Sequence, residues 1–347
     1  MTGIKHILVI RFSAMGDVAM TVPVIKALLA QNPEVQVTYV SRPAFAAFFV
    51  NIHRLNYIAA DLDKEYNGPG GILTLFRELK TGRYDVLADL HNNLRSKILR
   101  RLFRLSGLTY VYIDKGRSEK KLLTRFPGKV LKPLKLITER YADVFRKLGF
   151  QLVLEHRLIK QPVHLTDELT DITGEKNKQW IGIAPFAKHK GKIYPLERME
   201  EVVGMLNNRD ITIFLFGGSL LEEEICRQWE EKYSKVISLV NRLTMQQELM
   251  LISQLDVMLS MDSAGMHLAS LEGVPVVSVW GATHHYAGFL GYGQSESNIV
   301  ADDIECRPCS VYGDKPCFRK DYACLYNITP ATIINSMNKF IPESEVG

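Results

Sequence analysis

Residues 255–281 read LDVMLSMDSAGMHLASLEGVPVVSVWG, and the reading of this stretch decides the fold. Val257 to Met261 is a short apolar run between polar residues, the pattern of a strand buried on both faces. Asp262-Ser263-Ala264-Gly265 follows as a tight turn, Met266 to Glu272 as a short helix, and Pro275 to Trp280 as the next strand. That is a β-loop-α-β unit, and it makes the chain α/β with parallel strands. The turn sets a carboxylate, a hydroxyl and two small residues at a helix N-terminus. Unpaired backbone N–H groups and the helix dipole favour a phosphate or diphosphate there. Asp262 and Ser263 are equally good helix caps, because capping and anion binding share one geometry. His267 tips the balance toward a ligand by adding an imidazole within one turn of the acid.

Working upstream, strand and helix signals keep alternating. Val236 to Leu239 and Thr212 to Phe216 read as strands, Met245 to Ser253 and Leu196 to Asn207 as helices. Glu222, Glu223 and Glu224 fall in the first turn of a helix, where negative charge is favoured. Trp180 to Pro185 is a strand leading into FAKHKGKIYP, whose Lys188, Lys190 and Lys192 supply point charges for a diphosphate. The polar run 166–179 reads as a linker. Before it, Lys5 to Phe12 and Gln36 to Ser41 are strands flanking a helix that Thr21 caps and Pro23 opens. This βαβ lacks the three-glycine fingerprint of dinucleotide dehydrogenases, and Ser41 stands where an acid would bind ribose. Asp17 lies in the loop after the first strand, where open α/β sheets bind ligands. It is placed to act as a general base or to hydrogen-bond its own loop. The loop after the strand at 85–89 carries His91, Arg95 and Lys97 and opens on the same side.

At 347 residues the chain suits two domains, expected at 1–165 and 180–329, followed by a helix and tail at 330–347. No repeat is evident, and no run approaches the roughly 18 apolar residues of a membrane span. The apolar part of the N-terminus is too short for a signal peptide and lacks a cleavage site, so a cytoplasmic location is expected. The net charge of +5 conceals a basic stretch from Arg100 to Lys147 that includes Arg117 and Lys120. Such density fits an anionic partner or a solvated face. Aromatic residues are not interleaved for stacking and no helix-turn-helix appears, which disfavours nucleic acid.

Four of the five cysteines, Cys306, Cys309, Cys317 and Cys324, crowd one segment. They read as a structural zinc site, an oxidisable cluster or reduced structural thiols. The spacings are not those of zinc ribbons, and a cytoplasmic disulfide is disfavoured.

ILVIRFSAMGDVAMTVPVIKAL and MDSAGMHLASLEGVPVVSVWGAT, with APFAKHKGKIYP and LFGGSLLEEE in order between them, resemble glycosyltransferase family 9, the ADP-heptose:lipopolysaccharide heptosyltransferases. The resemblance spans nearly the whole chain. It implies a GT-B fold, two Rossmann-like domains facing across a cleft. It implies an inverting, metal-independent transfer of heptose from ADP-heptose to the lipopolysaccharide inner core, at the inner face of the inner membrane. It assigns Asp17 as general base, Lys192 to the donor diphosphate, Glu222 to the adenosine, and Leu243 to a backbone contact with adenine. Asp262, Ser263, Ala264, Gly265 and His267 match the donor-binding signature. Arg95, Lys97, Arg117 and Lys120 are the expected contacts to the acidic acceptor. Two positions depart from the family pattern: Ala264 replaces a glycine and Tyr194 a frequent tryptophan. A transferase using another nucleotide sugar, and a non-catalytic binder of nucleotide sugars or anionic glycolipid, are the competing readings.

Overall fold

The computed structural model describes residues 3–160 and 163–341. The chain divides into two compact units, Met1–Gly116 with Lys135–Glu155, and Arg117–Leu134 with His156–Gly347.

The first unit is built on β1 (His6–Ile10), β2 (Gln36–Ser41), β3 (Leu55–Ala59), β4 (Val86–Asp89) and β5 (Thr109–Tyr112). All pairings are parallel, in the order β3-β2-β1-β4-β5. The apolar run of β1 is buried from Ile7 onward, as a central strand covered on both faces must be. On one face Leu8, Ile10 and Leu87 pack with Leu75, Leu99 and Phe103 from helices Gly68–Leu79 and Leu94–Leu105.

The second unit holds β6 (Gln179–Ala184), β7 (Ile211–Leu215), β8 (Val236–Ser238), β9 (Val257–Met261), β10 (Val276–Trp280) and β11 (Ile299–Ala301). These too are all parallel, in the order β11-β10-β9-β6-β7-β8. Ile183, Leu259 and Val277 form its core with Val202 and Leu206 of helix Leu196–Asn207 and Ile333 of helix Pro330–Met337. Both sheets are doubly wound, and strand order reverses at one place in each, between β1 and β4 and between β6 and β9. In such sheets ligands bind at the carboxyl ends of the strands beside the reversal.

Several expectations are corrected. Asp17 lies in a short helix, Met15–Ala19, and not in a loop. Thr21 precedes helix Val22–Gln31 but does not cap it. Its hydroxyl donates to the Val18 carbonyl at 2.7 Å and pairs with Tyr39 Oη, because the chain enters this helix directly from the preceding one. Residues 167–173, expected as linker, form a helix capped by Thr166. Residues 117–134, expected with the first domain, belong to the second unit, where the Leu134 N–H donates to the Tyr286 carbonyl.

The basic stretch is not a uniformly solvated face. Arg100 is buried against Asp89 at 3.1 Å and lies over the Tyr112 ring, and Lys120 is buried over the Phe289 ring. Long apolar stems and cation–π contacts make that burial tolerable. Of the C-terminal tail, residues 342–347 lie outside the described residues.

Candidate functional site

At the carboxyl end of β1, Arg11 Nη2 stands 2.5 Å from Asp17 Oδ2, with Arg11 buried and Asp17 partly open. The guanidinium also donates to the Leu90 carbonyl beyond β4 at 2.9 Å and lies 5.8 Å from the centre of the Tyr141 ring. Burial is the largest influence and opposes the Arg11 charge, but Asp17, Tyr141 and Tyr39 together outweigh it and hold the pKa above the ordinary arginine value. Beside this pair, Asp89 accepts the His91 and Asn92 N–H groups, at 2.9 and 2.7 Å, and the Ser96 hydroxyl. It thereby shapes the loop from which helix Leu94–Leu105 starts. Burial, followed by the charges of Arg11, Lys115, Arg42 and Arg95, pushes His91 down to about 2, so the imidazole is neutral. Arg42 and Arg95 both face Asp63. The first unit thus sets the partly open Asp17 carboxylate against the buried Arg11 guanidinium, while Asp89 and Asp63 are engaged by partners of their own.

In the second unit Lys192 Nζ lies 2.9 Å from Asp262 Oδ2, with side chains only 16% and 5% exposed. Thr283 donates its hydroxyl to the same oxygen at 2.8 Å. Asp262 is therefore not a helix cap. Ser263 occupies the cap position of helix Ala264–Leu271 without a capping bond, its hydroxyl lying instead 3.4 Å from Ser260 Oγ, so its side chain satisfies none of the first N–H groups of that helix. Gly265 is required by close packing: a Cβ there would lie 2.6 Å from the Ala184 Cβ and 3.0 Å from Ser260 Oγ. His267 is buried in the first turn. The loop carrying Lys192 is tied down where Gly191 accepts the Ala282 N–H at 2.8 Å.

Of the other expected residues, Glu222 is engaged in a capping box, accepting from the Gly218 and Ser219 N–H groups. Leu243 is half-buried in the loop before helix Met245–Gln254. Arg95 and Lys97 lie in the first unit, Arg117 and Lys120 in the second. Tyr194 is a core residue whose hydroxyl donates to the Ile328 carbonyl. Four residues escaped the sequence reading: Arg11, Thr283, Arg307 and Glu248, a first-turn acid that burial pushes up to about 7. Arg11 left a signal, a charge closing the apolar run ILVIRF. The others depend on tertiary contacts.

Arg307 donates from Nε to the Gly281 and Thr283 carbonyls and from Nη1 to that of Asp302. The four cysteines around it are free thiols. Among the described residues no three His, Cys, Asp or Glu side chains are arranged to hold a metal ion as they stand, and no helix is long and apolar enough to cross a membrane.

The profile of glycosyltransferase family 9 (heptosyltransferase) matches residues 72–317. The chain belongs to this family. Among curated proteins it is 22% identical over 289 residues to the lipopolysaccharide core heptosyltransferase OpsX of Haemophilus influenzae, a match that takes in 80% of this chain and 79% of that one. Among solved structures, a family 9 glycosyl transferase from Veillonella parvula superposes with a TM-score of 0.75 at 18% identity, covering 98% of each chain. The E. coli heptosyltransferase WaaC with ADP-2-deoxy-2-fluoro heptose gives a TM-score of 0.67 at 18% identity, covering 96% of this chain and 99% of that one. The fold is GT-B, each unit being one Rossmann-like half, and the chain is a glycosyltransferase.

Proposed function

We propose that this family 9 enzyme moves a heptose from ADP-heptose to a hydroxyl of the lipopolysaccharide inner core with inversion, on the cytoplasmic side of the inner membrane. The observation that carries the reading is the division of labour between the two strand reversals. One presents the carboxylate of Asp17, and the other presents Lys192 and an uncapped helix N-terminus. OpsX is named for lipopolysaccharide core heptosyl transfer, and WaaC was solved with a fluorinated ADP-heptose, which supports both donor and acceptor class.

In this reading Asp17 takes the proton of the acceptor hydroxyl as its oxygen bonds to the anomeric carbon. The bond from that carbon to the diphosphate oxygen breaks on the opposite face, and ADP departs with the electron pair. Lys192 and the N–H groups at residues 263–265 stabilise the charge that develops on the leaving diphosphate. Arg11 positions the base through its anchor on Leu90. Asp262 and Thr283 hold Lys192 in place. Arg95 and Lys97 meet the acidic acceptor from the first unit, Arg117 and Lys120 from the second. Glu222, Leu243 and His267 complete the donor contacts. The transfer itself draws on no metal.

The test is ADP release from ADP-heptose with a panel of truncated lipopolysaccharide acceptors, without added divalent metal, beside a panel of other nucleotide sugars. Asp17→Asn is expected to lower turnover by about 10²–10⁴-fold while ADP affinity stays near that of the wild type. Undiminished turnover in Asp17→Asn overturns the base assignment. Release from another nucleotide sugar alone overturns the donor, and donor binding without turnover on any acceptor makes the chain a non-catalytic binder.

A further inference from the structure

Cys306, Cys309, Cys317 and Cys324 are spread over nineteen residues of sequence, yet all four line one small cavity of the second unit. The backbone achieves this with sharp turns: Gly313, Lys320 and Tyr322 all have positive φ, at 75°, 66° and 48°. Arg307, the residue after the first cysteine, lines the same cavity. Its Nε and Nη1 are satisfied by carbonyls, but its Nη2 is buried without an acceptor in a side chain 7% exposed. An orphaned cationic donor of this kind is costly in a protein interior. Its placement makes sense beside an anionic group in the cavity.

We propose that the four cysteines are the ligands of one thiophilic metal ion, zinc or iron, bound as a tetrathiolate. A Cys-x-x-Cys pair and two further cysteines supply the four soft donors that tetrahedral zinc or iron takes. A divalent ion with four thiolates carries a net charge of −2, and Arg307 Nη2 is the donor that such a buried anion needs. The thiols surround the cavity without being arranged as ligands. Binding therefore consists of side-chain rotations that close them on the ion, with release of their protons.

The site has a task in the second unit. The Cys309 N–H donates to the Ala282 carbonyl at 3.1 Å, and Arg307 Nε to the Gly281 and Thr283 carbonyls at 2.7 and 3.1 Å. Residues 281–283 in turn deliver the Thr283 hydroxyl to Asp262, the partner of Lys192. The metal is a structural clamp behind the diphosphate contacts and takes no part in bond making. This role in the donor site rests on the function proposed above; the presence of the metal does not.

The test uses the full chain without an affinity tag, purified under reducing conditions without chelator. Elemental analysis is expected to find close to one zinc or iron per chain, and the element found decides between the two. Cobalt(II) titrated into metal-stripped protein should give thiolate-to-metal charge-transfer bands and the d–d bands of a tetrahedral site. Both signals should fall in Cys309→Ser and Cys324→Ser. Arg307→Met should keep the stoichiometry and weaken cobalt affinity about 10–100-fold. Two results overturn the proposal: a metal-free wild type that takes up no cobalt with its thiols reduced, or disulfides joining these cysteines in mass spectra of unreduced protein. Metal content and the cobalt spectrum are read without substrate, so failure of the transferase assignment leaves them standing. If stripping the metal leaves ADP affinity unchanged, the clamp is overturned.

Discussion

Neutralising Asp262 isolates the energetics of its buried pair with Lys192. Its carboxylate is 5% exposed, 2.9 Å from Lys192 Nζ, and receives the Thr283 hydroxyl. At that distance and an effective dielectric of about 20, Coulomb attraction is worth about 6 kcal/mol before desolvation. Removing one member of a buried pair costs about 3–5 kcal/mol, because the other charge is left buried. Lys192 is 16% exposed and gains some relief from water, which sets the expectation for Asp262→Asn at about 3 kcal/mol. In a unit of about 200 residues that corresponds to a Tm lowered by about 6–12 °C in scanning calorimetry. Lys192→Met should cost a comparable amount. The double variant should be more stable than the sum of the singles implies by at least 1 kcal/mol, since it buries no unpaired charge. Additive losses, or a shift of less than 1 °C in Asp262→Asn, would refute the claim that the two charges hold one another.

Three further outcomes are expected. Glu248, raised from 4.5 to about 7 by burial, contributes stability that is complete below pH 4.5 and is lost as pH rises through 7. Glu248→Gln should therefore match the wild type in melting experiments near pH 4.5 and exceed it by up to about 3 kcal/mol above pH 7. Gly265→Ala must push the helix at 264–271 away from Ala184 and Ser260, costing about 1–3 kcal/mol in chemical denaturation and weakening ADP binding by calorimetry; Ala264→Gly is the control that creates no clash. Asp89→Ala strands the Arg100 charge together with the donors of His91, Asn92 and Ser96. It should destabilise the first unit by about 3–5 kcal/mol in urea, whereas a change below 1 kcal/mol would mean that water replaces the carboxylate.

The alternation of apolar runs with helical stretches was enough to read the central strands of both sheets, whereas the edge strands β3, β5 and β11 escaped it. Val257–Met261, Gln36–Ser41 and Leu196–Asn207 begin and end where their composition says they should, because buried parallel strands and amphipathic helices carry period and length in sequence. Lys192 and Asp262 were each singled out in the sequence, in the loops that follow strand signals. That they pair with each other was not legible there, since seventy residues separate them and only the β6–β9 pairing brings them together. That Asp262 is not a helix cap was likewise a matter of tertiary structure, decided by Lys192 and Thr283. The basic stretch misled for a related reason. Charge density is visible in sequence, but the acid or ring that buries an individual cation is not: Asp89 for Arg100, Phe289 for Lys120.

The chain passes between its two units at three places, near residues 116, 134 and 155. For a ribosome synthesising this protein from its N-terminus, the order of events follows. The first unit has all its strands by Tyr112 and its last segment by Glu155. Residues 117–134 emerge before that, but their partner Tyr286 is made about 150 residues later. At 5–20 residues per second this excursion waits on the order of 10–30 s beside a finished neighbour. Leu123, fully buried in the folded protein, lies in this segment amid lysines and arginines. Those charges act as gatekeepers that keep the nascent loop soluble until its seat exists.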